Sequence, residues 1–213
     1  MHVTLPPLLE KALARRGLRT SGGFHPSAED ALPDDIASVV LLSPGEGFWP
    51  IFAASHEYQG GKPDPMDRWS ARIITDLAKM VGGAAYFPFG APPAPFFSWA
   101  QRSGQAWPSP VHLLVGANMG LNLSFRGALG LRETLHFEDR ETPCKTCARP
   151  CLSACPISAL TDEGYDVEKC RAHLRAEPNG PCRRQGCLVR RSCPASTLQS
   201  PAQAQFHMKA FAP

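Results

Sequence analysis

All eight cysteines of this 213-residue chain lie at positions 144, 147, 151, 155, 170, 182, 187 and 193, and the first 143 residues hold none. They sit in Thr142–Pro194, which opens TPCKTCARPCLSACPISAL and closes GPCRRQGCLVRRSCP. Thiols crowded into one stretch do one of two things: they bind metal, or they pair as disulfides. No apolar run approaches the length of a membrane span, and the N-terminal MHVTLPPLLEKALARRG lacks the apolar core of a signal peptide. The expectation is therefore a cytoplasmic protein with no membrane partner. In that compartment thiols stay reduced, and dense cysteine reads as metal binding before disulfide.

Spacing narrows the metal. The first four cysteines are separated by two, three and three residues, and Cys155 and Cys193 are each followed by proline. A cubane iron–sulfur cluster needs four thiolates around one small volume. Closely spaced cysteines on a looping backbone supply three, and a distant cysteine closes the cage. In bacterial two-cluster ferredoxins the cysteine before proline crosses to the other cluster. Applied here, Cys144, Cys147, Cys151 and Cys193 bind a first [4Fe-4S] cluster. Cys155, Cys170, Cys182 and Cys187 bind a second, and no cysteine is left over. The run departs from the ferredoxin pattern by one residue between Cys147 and Cys151, and the second set is looser still. The alternative is a pair of closed four-cysteine zinc sites. Zinc modules favour cysteines two residues apart in both halves, whereas this chain has that pair once, at Cys144 and Cys147. The two Cys-Pro endings also favour iron–sulfur.

The charge distribution agrees. Residues 142–213 carry ten Lys or Arg against five Asp or Glu, while residues 1–141 carry twelve against fourteen. A basic segment can mark nucleic-acid binding, but a four-thiolate cluster carries roughly −2 when oxidised, so two of them absorb the excess. Nucleic acid is not an expected partner. Arg149, Arg183, Arg184, Arg190 and Arg191 read as solvated charge that compensates the clusters, or as a docking surface for an acidic electron donor.

The elements before the cysteines must form the rest of the machine. Leu8–Arg16 reads as a helix stopped by Gly17, Ser21–Pro33 as loop, and Ala37–Leu42 as a buried strand, with a helix or loop carrying FWPIFAAS. The strongest helix starts at Asp64, a natural N-cap followed by Pro65 at the first helical position. Its face is Met66, Trp69, Ile73, Leu77 and Met80, and Gly82-Gly83 ends it. Ala84–Phe89, Val111–Gly116 and Leu123–Leu131 read as strands, and Phe96–Ser103 as a short helix after a proline-rich link. Helices alternating with strands indicate a sheet covered by helices, an α+β fold. The composition turns charged near Arg132–Glu141. The expected organisation is thus residues 1–141 as an α+β ligand-binding core and residues 142–213 as a two-cluster domain with a C-terminal tail.

The cysteine segment resembles the C-terminal part of epoxyqueuosine reductases and reductive dehalogenases: a first cysteine group ending in Cys-Pro, a helix with one cysteine (Cys170 in YDVEKCRAHL), and a last group ending in Cys-Pro. More faintly, DPMDRWSARIITDL, GGAAYFPFG and GLNLSFRGAL are similar to cobalamin-processing proteins of the CblC type. Both families have a nitroreductase-like core and bind a corrinoid. The resemblance therefore implies a nitroreductase-like α+β core joined to a ferredoxin-like domain, acting as an iron–sulfur redox protein that relays electrons to cobalamin. It implies an electron donor protein or a flavin reductase as partner. It also implies that Asn122, Phe125 and Arg126, after the Gly120 turn, line the ligand pocket. Two positions depart from the CblC pattern: Gly116-Ala117 replace a His-Pro pair, and Asn122 replaces a tryptophan. The second reading is a ferredoxin-like carrier that docks a protein partner and holds no corrinoid.

Of the remaining residues, Arg126 suits an anionic group of a ligand, or a surface carboxylate at a strand end. Trp49, Trp69, Trp99 and Trp107 read as core or pocket wall, and His56-Glu57-Tyr58 as exposed loop. His207 reads as a packing residue of a docking helix.

Overall fold

A computed structural model describes residues 4–197 and 199–213. In chain order the elements up to the cysteine segment are α1 (Pro7–Ala14), β1 (Leu18–Phe24), β2 (Ser38–Pro44), α2 (Phe48–Ala53), α3 (His56–Gln59), α4 (Pro65–Met80), β3 (Ala84–Tyr86), α5 (Phe96–Arg102), β4 (Ala106–Pro108), β5 (Leu114–Gly116) and β6 (Gly127–Leu131). After it come α6 (Val167–Ala176), α7 (Pro181–Gln185), α8 (Leu188–Ser192) and α9 (Pro201–Phe211). The chain is mixed α+β. It divides into two compact units: one holds the described residues through Gln105 with Ser124–Arg140, the other Ala106–Leu123 with Glu141–Pro213.

The first unit is built on an antiparallel sheet of order β1-β2-β6-β3. Its centre is β2, whose Val39, Val40, Leu41 and Leu42 are all fully buried. An uninterrupted apolar strand of that kind requires cover on both faces, and the register shows how it is met. Phe24 pairs with Val39 and Tyr86 with Ala128, which pairs with Leu41, so these rings share one face. Trp99 of α5 packs there, with centroids 5.5 Å from Phe24 and 5.7 Å from Tyr86. Gly127 pairs with Leu42 on the other face, and Ile74 of α4 lies so close that a Cβ on Gly127 would meet its Cδ1 at 2.7 Å. Trp69 and Leu77 of α4 are buried with it.

The helix expected from Asp64 is α4, but its buried face is rotated. Met66, Trp69, Ser70, Ile74, Leu77 and Ala78 are buried, and Met80 is outside. Asp64 stands at the N-cap with a left-handed backbone and makes no side-chain capping bond. The strand at Ala84 stops at Tyr86, since Pro88 has no N–H for a ladder. Leu18–Phe24, expected as loop from Ser21 onward, is strand β1 instead. Its register shifts between Thr20 and Gly23, and side chains at 22 and 23 would collide with Ser103, Gln105 and Phe137. The glycines that read as loop are thus a bulge pressed against its neighbours.

Glu57 is a second correction. It is buried, not exposed, and accepts two hydrogen bonds from Arg72 of α4, from Nε at 2.6 Å and Nη2 at 3.0 Å. Those bonds outweigh burial and hold its carboxyl at about 2. Glu57→Gln leaves the guanidinium half-paired and should cost about 2 kcal/mol at pH 7. A carboxyl depressed in the folded state stabilises fully above its unfolded pKa of 4.5 and loses that contribution as pH falls toward 2. The gap in urea midpoint between wild type and Glu57→Gln, followed by tryptophan fluorescence, should therefore narrow between pH 5 and pH 3.

Candidate metal centre

The second unit begins earlier in the chain than its cysteines. The expected boundary lies at 141/142; the two compact units divide at Arg140/Glu141, and Ala106–Leu123 joins the cysteine-bearing unit. The reason is burial. The antiparallel pair β4–β5 and the turn after it contribute Val111, Val115 and Leu121 to an apolar cluster completed by Cys151, Leu160 and Val189. Without that hairpin the cysteine segment, rich in turns and short helices, would have little apolar surface to fold around. Cys144, Cys155, Cys187 and Cys193 pack against the same cluster.

The eight thiols line two separate cavities. One, of about 270 Å³, is lined by Cys144, Cys147, Cys151 and Cys193 with Ser109, Val115, Leu121 and Pro150. The other, of about 380 Å³, is lined by Cys155, Cys170, Cys182 and Cys187 with Leu160, Leu174, Val189 and Met208. The core residues Val115 and Leu121 wall the first, and Leu160 and Val189 the second. The sulfurs divide the same way electrostatically. Burial pushes the Cys144 and Cys151 thiols up, and the cysteines that add to this are of their own set: Cys193 and Cys147 for Cys144, and Cys144, Cys193 and Cys147 for Cys151. Burial also raises Cys170 and Cys182, helped by Cys187 and Cys155.

Local structure explains the placement. Asp166 caps α6, accepting from the Lys169 N–H at 2.9 Å, and so orients the helix that carries Cys170. Cys182 rides on α7, and Cys187 and Cys193 flank α8. Backbone amides point at sulfur: the Arg149 N–H donates to Cys147 Sγ at 3.3 Å and the Ala159 N–H to Cys155 Sγ at 3.2 Å. Ser109 Oγ, on the wall of the first cavity, is buried with no hydrogen-bond partner.

Such a donor set suits a thiolate-bound cofactor. Burial makes Cys144 and Cys151 in one set, and Cys170 and Cys182 in the other, resist ionisation unless a metal replaces their protons. Backbone amides aimed at sulfur are the partners an electron-rich sulfur site needs, and Ser109 has a hydroxyl to spare. Among the described residues no group of three or more His, Cys, Asp or Glu could hold a metal ion.

Three of the five arginines make hydrogen bonds to backbone carbonyls in place of standing as solvated charge. Arg183 Nη1 donates to the carbonyls of Met208 (2.6 Å) and Ala212 (2.8 Å), Arg190 to Leu121 (2.7 Å) and Arg191 to Gln185 (3.2 Å). They tie chain segments together. Arg149 and Arg184 are exposed. Helix α9 packs on α7, and it carries His207.

The three residues expected at a ligand pocket are split. Asn122 belongs to the second unit, is 7% exposed, and donates from Nδ2 to the Thr197 carbonyl at 2.9 Å. Phe125 and Arg126 belong to the first. Phe125 packs on Phe96 (5.7 Å). Arg126 has a buried Nε with no hydrogen-bond partner, and burial lowers its pKa to about 10 against the opposing pull of Asp67. Composition did not mark Ser109, because it is not distinguishable from a turn residue until the cavities are seen. No helix among the described residues is long and apolar enough to cross a membrane. Comparison with protein-family models, curated proteins and solved structures finds no match to the chain.

The division into two cavities predicts independent sites. Cys151→Ala and Cys170→Ala should each retain about half the bound metal per chain, and the double variant almost none, by elemental analysis of anaerobically prepared protein.

Proposed function

We propose that the protein is an iron–sulfur redox protein holding two [4Fe-4S] clusters, and that it passes electrons to a ligand of its first unit, a corrinoid. The observation that carries the redox part is the sorting of eight cysteines, without remainder, into two apolar cavities of four. Cys144, Cys147, Cys151 and Cys193 would hold one cluster, and Cys155, Cys170, Cys182 and Cys187 the other. Each cluster, when bound, supplies reversible one-electron chemistry. The chain's own residues do the rest. The Arg149 and Ala159 amides stabilise charge on sulfur. The shared core of Val111, Val115, Leu121, Leu160 and Val189 holds the two cysteine sets in fixed relation.

Support for the corrinoid is the sequence resemblance in the first unit together with Arg126, whose unpaired Nε is a donor ready for a carbonyl or anionic group. The reading extends to a nitroreductase-like core and a ferredoxin-like second domain, working in the cytoplasm as a cobalamin reductase. Asn122 is engaged by Thr197, so we assign it a structural role.

A second reading has its own observation. Cys144, Cys147 and Cys193 also border a wide open cleft of about 830 Å³, lined besides by Pro143, Thr146, Ala148, Pro194 and Ala195. Thiols at an open, uncharged cleft suit electron exchange with an external protein, which is what a ferredoxin-like carrier without a corrinoid requires.

Hydroxocobalamin titration of the anaerobic holoprotein separates the two. The proposal predicts a saturable change in the corrin absorption bands, a dithionite-dependent reduction of cobalt, and at least tenfold weaker binding in Arg126→Ala. Unchanged corrin bands with and without dithionite would leave the carrier reading standing.

A further inference from the structure

One buried polar group of the second unit has no partner within the fold: the hydroxyl of Ser109. The residue is 9% exposed, and its Oγ is buried without a hydrogen bond. Everything around it is held. Ser109 follows β4 in the loop that leads to β5, where Pro108 pairs with Leu114. Its N–H donates to the Leu113 carbonyl at 2.8 Å, and its own carbonyl accepts from the His112 N–H at 3.1 Å. His112 Nε2 in turn donates to the Asp162 carbonyl at 2.8 Å, and Val111 between them is fully buried. None of these contacts uses the hydroxyl, so alanine would close the same loop. A buried hydroxyl left unmatched costs about 1–3 kcal/mol, and the loop gains nothing by carrying one. The cavity supplies a reason. Besides its four cysteines the first cavity is lined by Val115, Leu121, Pro150, Pro194, Arg149 and Ser109. The valine and leucine side chains have no donor, the prolines have no N–H, and Arg149 is exposed. Among these residues Ser109 brings the one neutral side-chain donor.

We propose that Ser109 serves the Cys144/Cys147/Cys151/Cys193 site: its hydroxyl donates to a sulfur of the cluster bound there and raises that cluster's reduction potential. The inference rests on the two-cluster reading. Reduction adds one electron, and part of the added charge falls on sulfur. A hydroxyl that donates to such a sulfur stabilises the reduced form more than the oxidised one. Removing it therefore makes the site harder to reduce. No hydroxyl side chain stands among the described residues that line the second cavity, so the change is confined to one cluster. The cavity lining thus gives the two sites different potentials from the same four-cysteine ligand set.

The test is a dithionite-poised redox titration of the holoprotein, monitored by electron paramagnetic resonance, with iron measured on each sample. Ser109→Ala should retain wild-type iron and shift one midpoint to more negative potential, the one that disappears in Cys151→Ala. The midpoint that disappears in Cys170→Ala should stay in place. Ser109→Thr, which keeps the hydroxyl, should hold both midpoints at their wild-type values. Full iron with both midpoints unmoved in Ser109→Ala would overturn the tuning role and leave the cluster reading intact. An equal shift in Ser109→Thr would assign the effect to packing, and loss of half the iron in Ser109→Ala would make the serine a structural support; either result overturns the proposal. A wild-type protein that takes up no iron overturns both the proposal and the cluster reading.

Discussion

Eight thiols gathered around two cavities, Cys151 buried and the rest half-buried, are the constraint on which the second unit depends. A thiol there is tolerable; a thiolate without a counter-charge is not, and burial already pushes Cys144, Cys151, Cys170 and Cys182 up. The cysteine segment itself offers short helices and turns with few apolar side chains to bury. Its stability therefore leans on the small core shared with Ala106–Leu123. The arginines follow from the same shortage. Arg183, Arg190 and Arg191 are spent on backbone carbonyls, closing with charge-assisted bonds the segments that hydrophobic contact alone would leave loose.

How much of this was legible in the sequence depended on whether the signal was local. The helix α4 and the strand β2 declare themselves, because Asp64-Pro65, Gly82-Gly83 and an unbroken apolar run are short-range marks. The two groups into which spacing sorts the cysteines are also the groups that line the two cavities. What sequence did not disclose was set by partners far along the chain. Glu57 looks like an exposed loop acid until Arg72 is brought to it. β1 looks like loop because Gly22 and Gly23 interrupt its pattern, and only the closeness of Ser103, Gln105 and Phe137 explains them. The hairpin before Leu123 carries no cysteine, so nothing local assigns it to the cysteine unit. Its role comes from burying Val111, Val115 and Leu121 beside Cys151.

The two cavities are alike in carrying four cysteines each and different in setting. The first borders an open cleft and holds the unpaired hydroxyl of Ser109, while the second is walled by Met208 of α9. Two sites of one ligand type can differ in potential only through such surroundings: access of water, hydrogen bonds to sulfur and burial. In the first unit Arg126 is the corresponding loose end, a cation half out of water with a donor unused.

The most direct test of the central claim is the stoichiometry of iron and acid-labile sulfide in protein prepared without oxygen. Two cubanes on eight cysteines predict about eight iron and about eight sulfide per chain, with an absorption band near the violet edge of the visible that dithionite bleaches. About two zinc per chain, with no sulfide and no colour, would contradict the account and return the eight cysteines to two structural metal sites.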